Sequence, residues 1–143
     1  MMSLRLDRFF GSWGREFSPD YMPGETGLDR FIRWSKPIDW IGKAAAEAER
    51  AAGPARRLVA FVVEAEDADV TAWEPIWIDG AVQGFCTSGG YSHHSGQSVA
   101  LGFVPSDQAV EGLEVEIEIL GEMRPARLVT TPLFDADTAR MRG

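Results

Sequence analysis

The sequence predicts a mainly β protein: a six-stranded antiparallel barrel of Greek-key type, preceded by a mixed, aromatic-rich segment and one α-helix. Three observations predict it. Six strand-patterned runs follow one another between Arg57 and Thr130. Tight-turn signals, not helices, separate them, which is the pattern of a small antiparallel barrel. One alanine-rich stretch alone has helical composition, and it ends at Gly53-Pro54.

Residues 1–40 carry Phe9, Phe10, Trp13, Phe17, Tyr21, Phe31, Trp34 and Trp40, interrupted by Gly11, Gly14, Pro19, Pro23, Gly24 and Gly27. Those breakers leave no long period, so short elements and loops are expected. The rings suit a surface that packs on something else: one end of the barrel, or a second body. Left in water they would promote association, so self-association of the chain is expected.

Asp39 to Ala52 reads as the helix. Six alanines favour it, Asp39 is placed to cap its first turn, and Gly53-Pro54 stops it. From Arg57 the pattern changes. Leu58 to Val63 is an apolar, β-branched run, and Glu74 to Ile78 alternates loosely. Asp79-Gly80 signals a two-residue hairpin turn, because both central residues of that turn take positive φ. Ala81 to Thr87 returns, a glycine-rich polar turn over residues 88–97 follows at one mouth of the barrel, and Ser98 to Val104 leaves it. Leu113 to Ile119 alternates cleanly, with Val115, Ile117 and Ile119 inward and Glu114, Glu116 and Glu118 outward. Gly121-Glu122 turns the chain into Arg124 to Thr130.

Composition bounds the function. A chain of 143 residues supports one core and is too short for a catalytic domain plus a nucleotide-binding domain. A formal charge of −8 argues against nucleic acid and against an anionic membrane surface, both of which need surplus Lys and Arg. The longest apolar run, Leu58 to Val63, is far too short to span a bilayer, and the first residues lack a signal peptide's apolar core, so a cytoplasmic location is expected. The single cysteine, Cys86, cannot pair internally and reads as a buried thiol.

No constellation of catalytic or metal-ligating residues stands out. Adjacent His93 and His94 in an extended segment point to opposite sides and do not readily chelate one ion. Ser92, Ser95 and Ser98 lack the Gly-x-Ser-x-Gly context of a nucleophile elbow. Gly84, Gly89, Gly90 and Gly96 read as turn glycines, without the Lys-Ser/Thr ending of a phosphate loop. The Glu114, Glu116, Glu118 row reads as a solvated strand face that discourages edge pairing.

The segment Val82-Gln83-Gly84-Phe85-Cys86-Thr87-Ser88-Gly89-Gly90-Tyr91-Ser92, with Ala100-Leu101-Gly102-Phe103-Val104-Pro105, resembles the C-terminal barrel hairpin of the aminomethyltransferase family: the glycine cleavage T-protein and its dimethylglycine and sarcosine dehydrogenase-fused relatives. Gly-Tyr-Ser-His-His is closest to the dehydrogenase-fused branch. Ser3-Leu4-Arg5-Leu6-Asp7, Tyr21-Met22-Pro23-Gly24-Glu25-Thr26-Gly27-Leu28, Ile41-Gly42-Lys43, Trp73-Glu74-Pro75-Ile76-Trp77, Gly121-Glu122-Met123-Arg124-Pro125-Ala126 and Pro132-Leu133-Phe134-Asp135 resemble further family landmarks, in family order.

The resemblance implies residues 1–55 as a remnant of the folate-binding region plus the helix, and residues 56–143 as the aminomethyltransferase C-terminal barrel. It implies a module of a tetrahydrofolate-dependent one-carbon transfer enzyme in methylated-amine or glycine catabolism, not complete by itself. In that family folate accepts an aminomethyl or iminium carbon to give 5,10-methylenetetrahydrofolate. The family's pterin-binding glutamate falls on Asp7, one methylene shorter and about 1.5 Å less in reach. Its basic residue for the folate tail falls on Lys36, which lacks the guanidinium fork. The family's catalytic aspartate falls upstream of residue 1, so no catalytic residue is assigned. The expected partner is a chain carrying the flavin and folate domains, with FAD confined to that partner or missing domain. Folate binding by the chain alone is expected to be weak. The alternative is a non-catalytic interaction or assembly subunit that completes another chain's barrel.

Overall fold

A computed structural model describes residues 2–142. Six strands, β1 (Arg56–Val63), β2 (Pro75–Ile78), β3 (Ala81–Ser92), β4 (Gln97–Pro105), β5 (Glu114–Ile119) and β6 (Glu122–Val129), close into an antiparallel barrel in the order β1-β4-β3-β2-β5-β6. Strands β2, β3 and β4 form a meander and β5 returns beside β2, which is the Greek-key arrangement. The expected fold class is the one observed.

Period-two patterning builds the interior. Phe61 and Val63 of β1, Ile76 and Ile78 of β2, Cys86 of β3, Ala100 and Val104 of β4, Val115, Ile117 and Ile119 of β5 and Leu128 of β6 make one buried core. The Glu114, Glu116 and Glu118 side chains face outward, as their alternation predicts. Strand β4 is buried on both faces, which explains its unbroken apolar run. Its outer face, with Val99 and Leu101, packs with Ala60, Val129 and Leu6 in a second cluster. Leu6 ends the short helix α1 (Met2–Leu6), so that helix is a lid on the outside of the barrel.

Burial lifts the Cys86 thiol to about 12, helped by the nearby Glu74 charge, and so keeps it protonated. No described helix is long and apolar enough to cross a membrane.

Four local expectations are corrected. The helix, α3, runs Lys43–Ala52 and not from Asp39: Gly42 occupies the N-cap with φ 88°. Asp39 accepts instead from the neighbouring Trp40 amide at 3.0 Å. The turn expected over residues 88–97 shrinks to His93–Gly96, because β3 continues to Ser92 and β4 begins at Gln97. Of the four glycines assigned to turns there, Gly84, Gly89 and Gly90 lie within β3, and Gly96 alone is in the turn. The β5–β6 turn is Leu120-Gly121 and not Gly121-Glu122, since β6 already includes Glu122.

The aromatic segment is only partly unpartnered. Tyr21 stacks on Phe103 at 4.2 Å, while Phe9, Phe17, Trp34 and Trp40 are half-buried. Phe10, Trp13 and Phe31 are 58%, 89% and 71% exposed, so three of the eight rings face water. Arg56 lies over both Tyr21 and Phe103 and pairs with Glu25 at 2.8 Å, which fastens the short helix α2 (Pro23–Thr26) to the start of β1.

Leu120 is 85% exposed and holds φ at 51°, a conformation that costs an ordinary L-residue about 1 kcal/mol. The matching turn Asp79-Gly80 places a residue tolerant of that region at its first position, with φ 52° and 75°. Leu120→Asn is expected to stabilise the fold by about 0.5–1 kcal/mol. Urea unfolding should show a higher midpoint at unchanged slope; a lower midpoint would show that Leu120 makes a contact worth more than the backbone strain.

Candidate functional site

A cluster of buried polar groups forms where α1 and the following segment cross the outer face of β3. A β-bulge aims β3 there. Cys86 pairs with Gly102 and Ser88 with Leu101, so Thr87 is the extra residue. Without it, Ser88 would share a face with Cys86 and point into the barrel; with it, Ser88 turns outward. The Thr87 hydroxyl is satisfied by donating to the Leu101 carbonyl at 3.1 Å.

Ser88 is met by two residues from the N-terminal segment. The Arg5 Nη2 group donates to its hydroxyl at 2.7 Å, and that hydroxyl donates onward to the Glu16 carboxylate. Glu16 has no exposed surface and also accepts from the Ser12 amide at 2.7 Å and the Ser12 hydroxyl at 3.2 Å. Arg5 stands 3.6 Å from Glu16 and donates to the Phe10 carbonyl at 3.1 Å. Desolvation alone would raise the Glu16 carboxyl, but the donors from Ser12 and Ser88 outweigh it and the carboxyl lies below its ordinary range. Arg5, Glu16 and Ser88 were not singled out from the sequence. The signal available was Thr87-Ser88, two hydroxyls in an apolar strand, since buried hydroxyls require partners.

Asp7 lies one residue past α1 and is 2% exposed. Its Oδ1 is buried without a hydrogen-bond partner among the described residues. Its backbone carbonyl accepts from the Phe134 amide at 3.2 Å, and Arg8 pairs with Asp135 at 2.7 Å, so the C-terminal tail is folded over this corner. The β3–β4 turn arrives from the other side: the His93 amide donates to the Ser3 hydroxyl at 3.3 Å, and the His94 ring meets Phe134 edge-on at 4.1 Å. The His93 ring packs on Tyr91 instead, so the two imidazoles have separate partners. Ser92 and Ser95 bond each other at 2.6 Å and close the turn. Among the described residues, no group of three or more His, Cys, Asp or Glu is placed to hold a metal ion.

Lys36 is exposed in a turn where its amide donates to the Arg33 carbonyl at 3.1 Å. No hydrogen bond or ion pair joins it to Asp7 among the described residues. The two positions are therefore separate features: a buried carboxylate with one oxygen unpaired among the described residues, and an exposed ammonium.

Residues 56–135 match the family model described as the glycine cleavage T-protein C-terminal barrel domain. The mitochondrial dimethylglycine dehydrogenase of Mus musculus is 40% identical over 140 residues, covering 98% of this chain and 16% of that protein. The aminomethyltransferase of Moorella thermoacetica is 35% identical over 133 residues, 92% of this chain and 36% of that protein. The crystal structure of glycine cleavage system aminomethyltransferase T from Bartonella henselae superposes with a TM-score of 0.86 at 26% identity, covering 94% of this chain and 38% of that one. The chain thus spans well under half the length of each of these relatives. With the barrel order, the hairpin and the match to residues 56–135 in agreement, the chain belongs to the glycine cleavage T-protein C-terminal barrel domain family.

Proposed function

We propose that the chain is the C-terminal module of a tetrahydrofolate-dependent one-carbon transfer enzyme of methylated-amine or glycine catabolism, with residues 1–55 belonging to the folate-binding region and 56–143 forming the barrel. The observation that carries this reading is the Asp7 carboxylate. Burying a carboxylate oxygen without a donor costs about 1–3 kcal/mol, so a ligand that brings a donor to Asp7 recovers that cost on binding. A ligand presenting N–H groups would satisfy it, and a pterin ring carries such groups.

Bound tetrahydrofolate would supply the nitrogen nucleophile that takes up the one-carbon unit. This chain's part is to bind and orient. Asp7 holds the donor edge of the ring, Arg5 and Glu16 fix the segment that carries Asp7 against β3, and Lys36 attracts the tail. The flavin and the remaining wall of the site belong to a partner chain or domain. One observation favours the alternative of a non-catalytic assembly subunit: Asp7 is closed behind the C-terminal tail, so the site does not open without movement of Phe134 and Asp135.

Calorimetry with tetrahydrofolate distinguishes these. The chain alone should bind weakly. Mixed with a dimethylglycine dehydrogenase deleted for its own C-terminal barrel, it should bind at least about tenfold more tightly, a gain of some 1.4 kcal/mol. Asp7→Ala should abolish that gain. A mixture that gains nothing would overturn the folate reading and leave the assembly role.

A further inference from the structure

We propose that the cleft between the N-terminal segment and the outer face of β1 and β6 is a binding site for a small organic acid: one carboxylate on an apolar body. The cleft has a volume of about 1090 Å³. That exceeds the roughly 300–1,000 Å³ typical of small-ligand pockets. Its walls are apolar, formed by Leu4 and Phe9 on one side and Leu58 and Val129 on the other. Arginines set its polarity: Arg5, Arg8, Arg30 and Arg57 all line it, and no Asp or Glu does. In a chain of formal charge −8, this is a local reversal of sign.

The four guanidinium groups are not equivalent. Arg5 is committed to Ser88, Glu16 and the Phe10 carbonyl. Arg8 is committed to Asp135. Arg30, in the 3-10 turn Leu28–Phe31, lies over the Phe31 ring at 5.0 Å and has no carboxylate partner among the described residues. Arg57, exposed at the start of β1, has none either. Glu111, beside the cleft through its contact with the lining residue Thr130, is occupied by the amide and hydroxyl of that residue, both at 2.5 Å.

Two uncommitted guanidinium forks beside an apolar cleft recognise a carboxylate by charge-assisted, bidentate hydrogen bonds. The apolar walls then take up its hydrocarbon part. A bare inorganic anion would leave those walls unused, and a neutral amphiphile would leave the forks unused. Neither Asp7 nor Lys36 lines this cleft, so the site is distinct from the folate positions and independent of that reading.

Octanoate, octanol and inorganic phosphate, titrated calorimetrically into the chain, separate the contributions. Octanoate should bind at least about tenfold more tightly than either of the others, because only it engages both the forks and the apolar walls. The double variant R30Q/R57Q should lose that advantage while its melting temperature stays within a few degrees of the parent. Arg57→Lys should keep part of the binding, having the charge without the fork. In the unmodified chain, nuclear Overhauser contacts should join the octyl chain to Leu58 and Val129 methyls, which keeps the test independent of any variant. Octanoate that fails to bind, matches octanol, binds R30Q/R57Q as well as the parent, or contacts other methyls would overturn the assignment.

Discussion

Glu16→Ala is expected to cost about 3–5 kcal/mol of folding stability, because it leaves the largely buried Arg5 guanidinium without its counter-charge and strips Ser12 and Ser88 of their acceptor. The loss should be local first. Arg5, Ser12 and Ser88 hold the N-terminal segment on β3, whereas the barrel core of Phe61, Ile76 and Ile117 lies on the other side of the strand wall. Hydrogen exchange should therefore show the amides of residues 3–17 losing protection while those of β5 and β6 keep theirs. A variant with undiminished stability would mean that the cluster only decorates the seam. Removing both partners as Arg5→Met with Glu16→Leu should cost much less than the single change, since no uncompensated charge remains.

The same carboxyl makes a prediction in pH. Its folded pKa lies below the ordinary 4.5, so the native state favours the ionised form. Its contribution is fully present above the unfolded value near 4.5 and is lost as pH falls through the depressed folded value. Stability measured downward from pH 5 should fall less steeply in Glu16→Gln than in the parent. Parallel curves would show that other carboxylates carry the acid sensitivity.

What the sequence made legible follows from where the physics is local. Strand β5 could be read residue by residue because Val115, Ile117 and Ile119 alternate with glutamates, and the Asp79-Gly80 turn because positive φ restricts residue type. The end of β3 could not. Ser88, Gly89, Gly90, Tyr91 and Ser92 have turn composition, yet their polarity and small size answer to distant chain: Arg5 and Glu16 require the Ser88 hydroxyl, and the segment at Val70 requires the bare backbone of Gly89. The helix start was misplaced for a related reason. Asp39 is a good cap in isolation, but the chain makes a further turn around Trp40 and Gly42 before α3 begins. At the candidate site, Asp7 and Lys36 were marked only through resemblance. Nothing periodic points to an aspartate one residue past a five-residue helix. The cluster that fastens that helix had a sequence signal in Thr87-Ser88 but no indication of its partners.

Gly89→Ala is expected to cost roughly 3 kcal/mol, at the upper end of ordinary overpacking. A methyl at Gly89 would run into the Val70 carbonyl oxygen and lie 2.5 Å from the Val70 Cβ. The obstacle is backbone and a branched side chain, neither of which yields as a flexible side-chain tip does. The usual gain of about 0.4–1 kcal/mol from stiffening the unfolded chain is too small to offset it. Gly96 makes the contrasting case. It holds φ at 69°, and a Cβ there meets nothing nearer than the Tyr91 hydroxyl at 3.7 Å. Gly96→Ala should cost only about 1 kcal/mol, the penalty of a left-handed conformation. Asparagine separates the two causes, since it tolerates that conformation but still carries a Cβ. Gly96→Asn should recover most of the loss and Gly89→Asn none. Denaturant unfolding of the four variants decides it. A Gly89→Asn protein as stable as the parent would mean that the Val70 segment moves aside freely, and that β3 is not clamped there as its packing implies.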